Sequence, residues 1–130
     1  MTNSQWRETL GVCRRVLGEG SWDPMLTSSW CAFTTFSSIE NGARYWNCGF
    51  PEEIDLLEDR VADGGLWRQS FLYTDIAHIV IPVSFWCEGF NEGEFFCGKK
   101  YQDLDALSMA LDAIRAVYRR TELVIEIKLY

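Results

Sequence analysis

Two pairs of β-prone runs, each pair broken by turn-forming residues, restrict this chain more than any other feature. Residues 28–36 (SSWCAFTTF) are dense in aromatic and β-branched side chains, IENGAR supplies the turn dipeptide Asn41-Gly42, and YWNCGF resumes the pattern. With Asn41 and Gly42 at the central turn positions, Cys31, Phe33, Trp46, Cys48 and Phe50 share one face, because side chains alternate along a strand. That face is expected to be core. Further on, HIVIPVSFWC and EFFCGKKY flank EGFNEG, which reads as a second hairpin with a longer loop. Pro82 puts the first of these strands at an edge or a bulge, since it cannot donate to a ladder. Cys87 and Cys97 fall on its two arms, on the same predicted face. A further strand is expected near 66–73.

Between these runs the apolar spacing is helical. Trp6, Leu10, Cys13 and Leu17 form a stripe that follows possible caps at Asn3 or Ser4 and stops at Gly18 and Gly20. In 51–61, Pro51 suits a first helical turn, and Glu52 and Glu53 complement its positive end. Ile54, Leu57 and Val61 supply a stripe before Gly64-Gly65. Residues 103–120 carry Leu104, Leu107, Leu111, Ile114 and Tyr118 on one side behind an Asp103 cap. ELVIEIKLY closes the sequence as a strand with Leu123, Ile125, Ile127 and Leu129 on a buried face. The order αββα(β)ββαβ predicts an α+β fold in a single domain spanning 1–130. A mostly antiparallel sheet of two hairpins and a C-terminal strand packs against about three helices.

In 130 residues, 48% hydrophobic side chains and six tryptophans supply ample material for one core. Nineteen acidic residues oppose twelve basic ones, a formal charge of -7. Such a field repels nucleic-acid phosphates and anionic lipid and attracts basic partners, so neither nucleic-acid nor membrane binding is expected. No secretory signal opens the sequence and no apolar run approaches the roughly 18 residues of a membrane span, so a cytoplasmic location is expected. Five cysteines without a CxxC read as reduced, buried thiols.

The residues that carry chemistry are sparse. His78 is the single histidine, so any Ser-His-Asp, Cys-His or mixed zinc site must use it, and a strand-start structural role is the alternative. Gly18-Glu19-Gly20 lacks the remaining parts of a phosphate loop. Neither a catalytic group, a metal nor a cofactor is therefore expected. What remains is acidic: Glu52, Glu53, Asp55, Glu58 and Asp59 on the second helix, with Glu88, Glu92 and Glu94 around the second hairpin turn and Phe90 beside them. Together these make a candidate surface for steering and holding a basic partner.

In size, acidity, aromatic richness and the segment PEEIDLLEDRVAD, the chain resembles bacterial immunity proteins made against contact-dependent or secretion-system toxins. The resemblance implies a protein that binds and neutralises a cognate toxin domain, basic and nuclease-like, and is not itself an enzyme. Two alternatives stand beside it. One is a small enzyme or ligand-binding domain whose aromatic-lined pocket involves His78, Asp23 or Asp75; the other is a subunit of a larger complex.

Overall fold

Ile79 and Ile81 alternate with His78 and Val80, and Ile125 and Ile127 alternate with Glu126 and Lys128. These two runs pair antiparallel in the middle of the molecule, Ile79 opposite Ile127 and Ile81 opposite Ile125. The computed structural model describes residues 1–130, an α+β fold with three helices. Its main sheet has the order β2-β1-β5-β9-β8, from Trp46–Cys48, Cys31–Thr35, Ile76–Pro82, Val124–Lys128 and Arg119–Arg120, with every neighbour antiparallel. Its apolar face joins buried side chains of α1 (Asn3–Leu17) and α3 (Leu104–Ala113) in one core cluster. No helix is long and apolar enough to cross a membrane.

The helix ends follow local chemistry. Thr2 caps α1 in a reciprocal box, its hydroxyl accepting from the Gln5 N–H (3.1 Å) while Gln5 Oε1 accepts from the Thr2 N–H (2.8 Å). The cap therefore precedes Asn3 and Ser4, which lie inside the helix. Asp103 caps α3 as expected, accepting from the Ala106 N–H at 2.9 Å. That helix stops at Ala113 rather than reaching 120: Arg115 turns left-handed (φ 57°), and the N–H groups of Arg115 and Ala116 return to the carbonyls of Asp112 and Leu111. This is a Schellman ending with arginine where glycine is usual.

In the first hairpin Phe33 pairs with Trp46 and Cys31 with Cys48; the connection holds a short helix, α2 (Phe36–Glu40), rather than a tight turn centred on Asn41-Gly42. Cys31, Phe33, Cys48 and Phe50 are buried as expected, and Trp46 is half-buried. After β2 the chain crosses the 18–27 loop so closely that a methyl on Gly49 would run into the Thr27 hydroxyl and the Gly20 backbone.

The expected acidic helix over 51–61 does not form. Only a 3-10 turn (Glu53–Asp55) appears, after which the chain doubles back through Leu57 N–H to Arg60 C=O and Ala62 N–H to Asp55 C=O. Leu56 and Val61 are buried, whereas Ile54 and Leu57 face solvent. A helix here would stack Glu52, Asp55 and Asp59 at repelling i,i+3 and i,i+4 spacings. The short pair β3 (Arg60–Val61) and β4 (Phe71–Leu72) replaces it, so the strand expected over 66–73 is confined to its end. Phe33 lies among Trp67, Phe71 and Trp46, clamping this excursion to β1.

Pro82 ends a central strand, β5, where the chain leaves the sheet. Val83 and Gln102 then bracket a separate hairpin of β6 (Ser84–Asn91) and β7 (Glu94–Tyr101). Its loop is not long: the strands run to Asn91 and Glu94, joined by Glu92-Gly93 alone, both at positive φ (53° and 83°). Two left-handed residues give the turn whose twist matches the strands, and glycine takes the second at no steric cost.

Candidate functional site

The register of β6–β7 decides which side chains meet solvent. Cross-strand pairs alternate faces, so Ser84–Tyr101, Trp86–Lys99, Glu88–Cys97 and Phe90–Phe95 share one face, and Phe85–Lys100, Cys87–Gly98, Gly89–Phe96 and Asn91–Glu94 the other. The second face is docked. Phe85 stacks on Trp30 at 5.4 Å, Gly89 lies against Met25, and Lys100 Nζ donates to the carbonyls of Met25 (2.7 Å) and Thr27 (2.8 Å). Cys87 and Cys97 are thus on opposite faces, which corrects their expected pairing. Nor are they buried: Cys97 is exposed and Cys87 half-exposed. Cys13, Cys31 and Cys48 are buried; desolvation pushes Cys13 and Cys48 up to about 12 and raises Cys31 well above the usual thiol range, which keeps all three as thiols.

On the outward face Trp86 is 54% exposed, Phe90 76%, Phe95 55% and Tyr101 75%, a row of large apolar groups that no other element covers. Phe90 and Phe95 meet edge to face at 5.4 Å. Glu88 accepts from Trp86 Nε1 at 3.0 Å, and Glu88, Glu92 and Glu94 form no ion pairs. The tip therefore combines exposed aromatics with uncompensated negative charge.

The other expected partner-binding carboxylates sit elsewhere and in a different electrostatic state. Glu52 faces Arg14 of α1 at 3.7 Å, Glu53 pairs with Arg15, and Asp59 takes a two-pronged contact from Arg60 that lowers its pKa. Asp55 is half-buried beside Gly65, and only Glu58 is exposed without an ion pair. Arginines of the chain itself already occupy most of this patch, which lowers its pull on a basic partner. Trp86, Phe95 and Tyr101 are the residues that sequence reasoning undervalued; their signal was an alternation continuing straight through EGFNEG.

His78 lies on the face of the main sheet away from α1 and α3, buried in a chain of hydrogen bonds that spans four segments. Nδ1 is 2.8 Å from the Tyr45 hydroxyl and Nε2 is 2.9 Å from Glu126 on β9; Arg119 on β8 reaches the other Glu126 oxygen at 3.3 Å. Nε2–H facing the carboxylate leaves Nδ1 to accept the Tyr45 O–H. A cleft of about 280 Å³ lined by Arg119, Lys128, Tyr118 and Tyr130 adjoins it. Asp75 is spent on Ser37, and Asp23 on the Met25 N–H. No three His, Cys, Asp or Glu side chains converge to hold a metal ion.

The His78 contact, reinforced by Arg119, holds Glu126 below the usual carboxylate range. A carboxyl with a depressed folded pKa stabilises fully above its unfolded value, about 4.3, and loses that contribution as pH falls through the lower folded value. Glu126→Gln is therefore expected to cost stability at about pH 5 and progressively less below about pH 4. Urea unfolding at stepped pH measures this, and a difference that stays constant down to pH ~3 would refute it.

Compared with family models, with curated proteins and with solved structures, the chain matches none.

Proposed function

We propose that this chain is a binding protein of the toxin-immunity kind, acting in the cytoplasm, whose β6–β7 hairpin docks on a basic, nuclease-like toxin domain and neutralises it. One observation carries the reading: the outward hairpin face sets Trp86, Phe90, Phe95 and Tyr101 beside the unpaired Glu88, with the unpaired Glu92 and Glu94 at the tip. Aromatic anchors supply most of the binding energy of such interfaces, and a charged rim supplies steering and specificity. The inner face is fastened by Phe85 and Lys100, so the outward one is presented on a fixed support.

The alternative of an aromatic-lined pocket for a small ligand has the His78 chain and its neighbouring cleft in its favour. Against it, both imidazole nitrogens are already engaged, so a substrate would have to displace Tyr45 or Glu126 to reach them.

The test is whether this chain protects cells that produce any toxin domain a neighbouring gene encodes, together with calorimetric titration of the purified pair. Wild type is expected to protect. Trp86→Ala/Phe90→Ala is expected to bind about tenfold more weakly or worse, while Glu52→Gln/Glu53→Gln stays within about twofold. Absence of protection by the wild type sinks the proposal, and so does undiminished affinity in the folded aromatic variant.

A further inference from the structure

We infer that the outer edge of β7 is a self-association surface, on which a second copy of this chain adds its own β7 antiparallel. This does not rest on the proposed function, because it concerns the backbone edge of the hairpin and needs no toxin.

The hairpin is a two-stranded sheet with no third strand. A two-residue turn makes its closing pair, Asn91 with Glu94, the mutually hydrogen-bonded kind, and the kinds then alternate down the ladder. The N–H and C=O groups of Phe95, Cys97, Lys99 and Tyr101 consequently point away from β6. None of them finds a backbone partner outside the hairpin. Eight residues of edge without proline, bulge or covering segment form a ready template for another strand. The β6 edge is less open, because Glu88, Gly89, Phe90 and Asn91 share a cleft with Asp23, Met25 and Leu26 of the preceding loop.

Charge selects the occupant. Along β7 the turn end is acidic, with Glu92 and Glu94, and the base is basic, with Lys99 and Lys100. An antiparallel second copy sets each acidic end beside the other's basic end, whereas a parallel one would align like charges. With the two-fold axis at Cys97, Phe95 lies opposite Lys99 of the second copy and Glu94 opposite its Lys100. Each Lys99 then sits between its own Trp86 and the other copy's Phe95, where aromatic faces favour a cation. The two outward faces merge into one four-stranded face, doubling the aromatic row on an isologous interface.

Sedimentation of the reduced full chain from about 1 to about 200 µM should show a reversible monomer–dimer equilibrium. Lys99→Pro removes only an outward N–H and leaves the hairpin's own ladder intact, so it is expected to be folded and monomeric; Lys99→Ala keeps the N–H and should still dimerise, more weakly. Across the axis the two Cys97 Cα atoms fall about 5.5 Å apart, within disulfide reach. Diamide, which takes up the two thiol hydrogens as the S–S bond forms, should therefore yield a covalent dimer that Cys97→Ser abolishes. A chain that remains monomeric over this range overturns the inference. So does a dimer that survives Lys99→Pro, or one that diamide does not link through Cys97.

Discussion

Phe33→Ala is expected to cost about 4–5 kcal/mol, the upper part of the range for deleting a buried phenylalanine. The ring is 1% exposed and touches aromatic partners on three sides. Trp67 stacks on it with centroids 4.0 Å apart, Trp46 stacks at 5.7 Å, and Phe71 meets it edge-on at 5.0 Å. Each such pair is worth about 0.5–1.5 kcal/mol beyond the area it buries. The partners also come from distant segments: Trp46 from β2, Trp67 from the excursion after β3, and Phe71 from β4. Removing the ring therefore leaves a cavity where three segments meet, and Trp67 cannot follow inward easily because its Nε1–H is held by the Gly49 carbonyl at 3.0 Å. Against a total of about 5–15 kcal/mol for a domain, a loss of this size removes between about a quarter and all of the stability. Urea unfolding followed by tryptophan fluorescence measures it, and Phe33→Leu, which fills much of the space, should recover more than half of the loss. A cost for Phe33→Ala below about 1.5 kcal/mol would mean that the excursion is not anchored here.

The core face of the first hairpin was legible in the sequence although its turn was not. A turn centred on Asn41-Gly42 pairs Phe33 with Phe50, whereas Phe33 faces Trp46, a slip of four residues. An even slip keeps every side chain on its face. The burial of Cys31, Phe33, Cys48 and Phe50 therefore survives the wrong register, and α2 takes up the extra chain. The same tolerance does not extend to helices. In 51–61 the stripe Ile54, Leu57, Val61 matches helical spacing, but the arginines that compete for its carboxylates, Arg14 and Arg15, come from α1 and Arg60 from the segment itself. The Asp59–Arg60 contact is local, but no local pattern announces the competition from α1. At the C-terminal strand Ile125 and Ile127 are buried as their alternation requires, while Leu123 and Leu129, one residue outside its two ends, are exposed because β9 is too short to carry them under the helices.

The candidate surface was half legible for a related reason. Glycines at 89 and 93 and Asn91 read as loop residues, yet only Glu92-Gly93 turns the chain; Gly89 is needed in the strand because Met25 occupies the space above it. Once the strands are extended through EGFNEG, Trp86, Phe90 and Phe95 fall on one face automatically. The acidic half of the expectation moved the other way. The carboxylates of 52–59 are largely paired within the chain, and those at 88, 92 and 94 are not, which shifts the proposed contact from two patches to one.

Gln102 had no signature at all, and its replacement is expected to have the second largest effect. The side chain is 5% exposed at the point where β7 ends, before the α3 cap. Its Oε1 accepts the Trp30 N–H at 2.9 Å, and its Nε2 donates to the Trp30 carbonyl at 2.9 Å and the Pro82 carbonyl at 2.8 Å. One amide thus ties the approach to β1 to the end of β5, each oriented by donors and acceptors that fit only one way round. Gln102→Leu keeps the volume but removes three hydrogen bonds and strands buried backbone groups, at about 1 kcal/mol or more each, so a loss of about 3 kcal/mol is expected. Gln102→Glu separates hydrogen bonding from shape. Its carboxylate can still accept from Trp30 but turns negative oxygen toward two carbonyls, which costs at least as much at pH 7. Protonation gives back one donor, and because this site raises the carboxyl's pKa, the variant must regain ground on the wild type as pH falls. Parallel urea titrations of the three proteins between about pH 7 and pH 4 would show that convergence. If Gln102→Leu is as stable as the wild type, packing alone holds this junction and the amide is incidental.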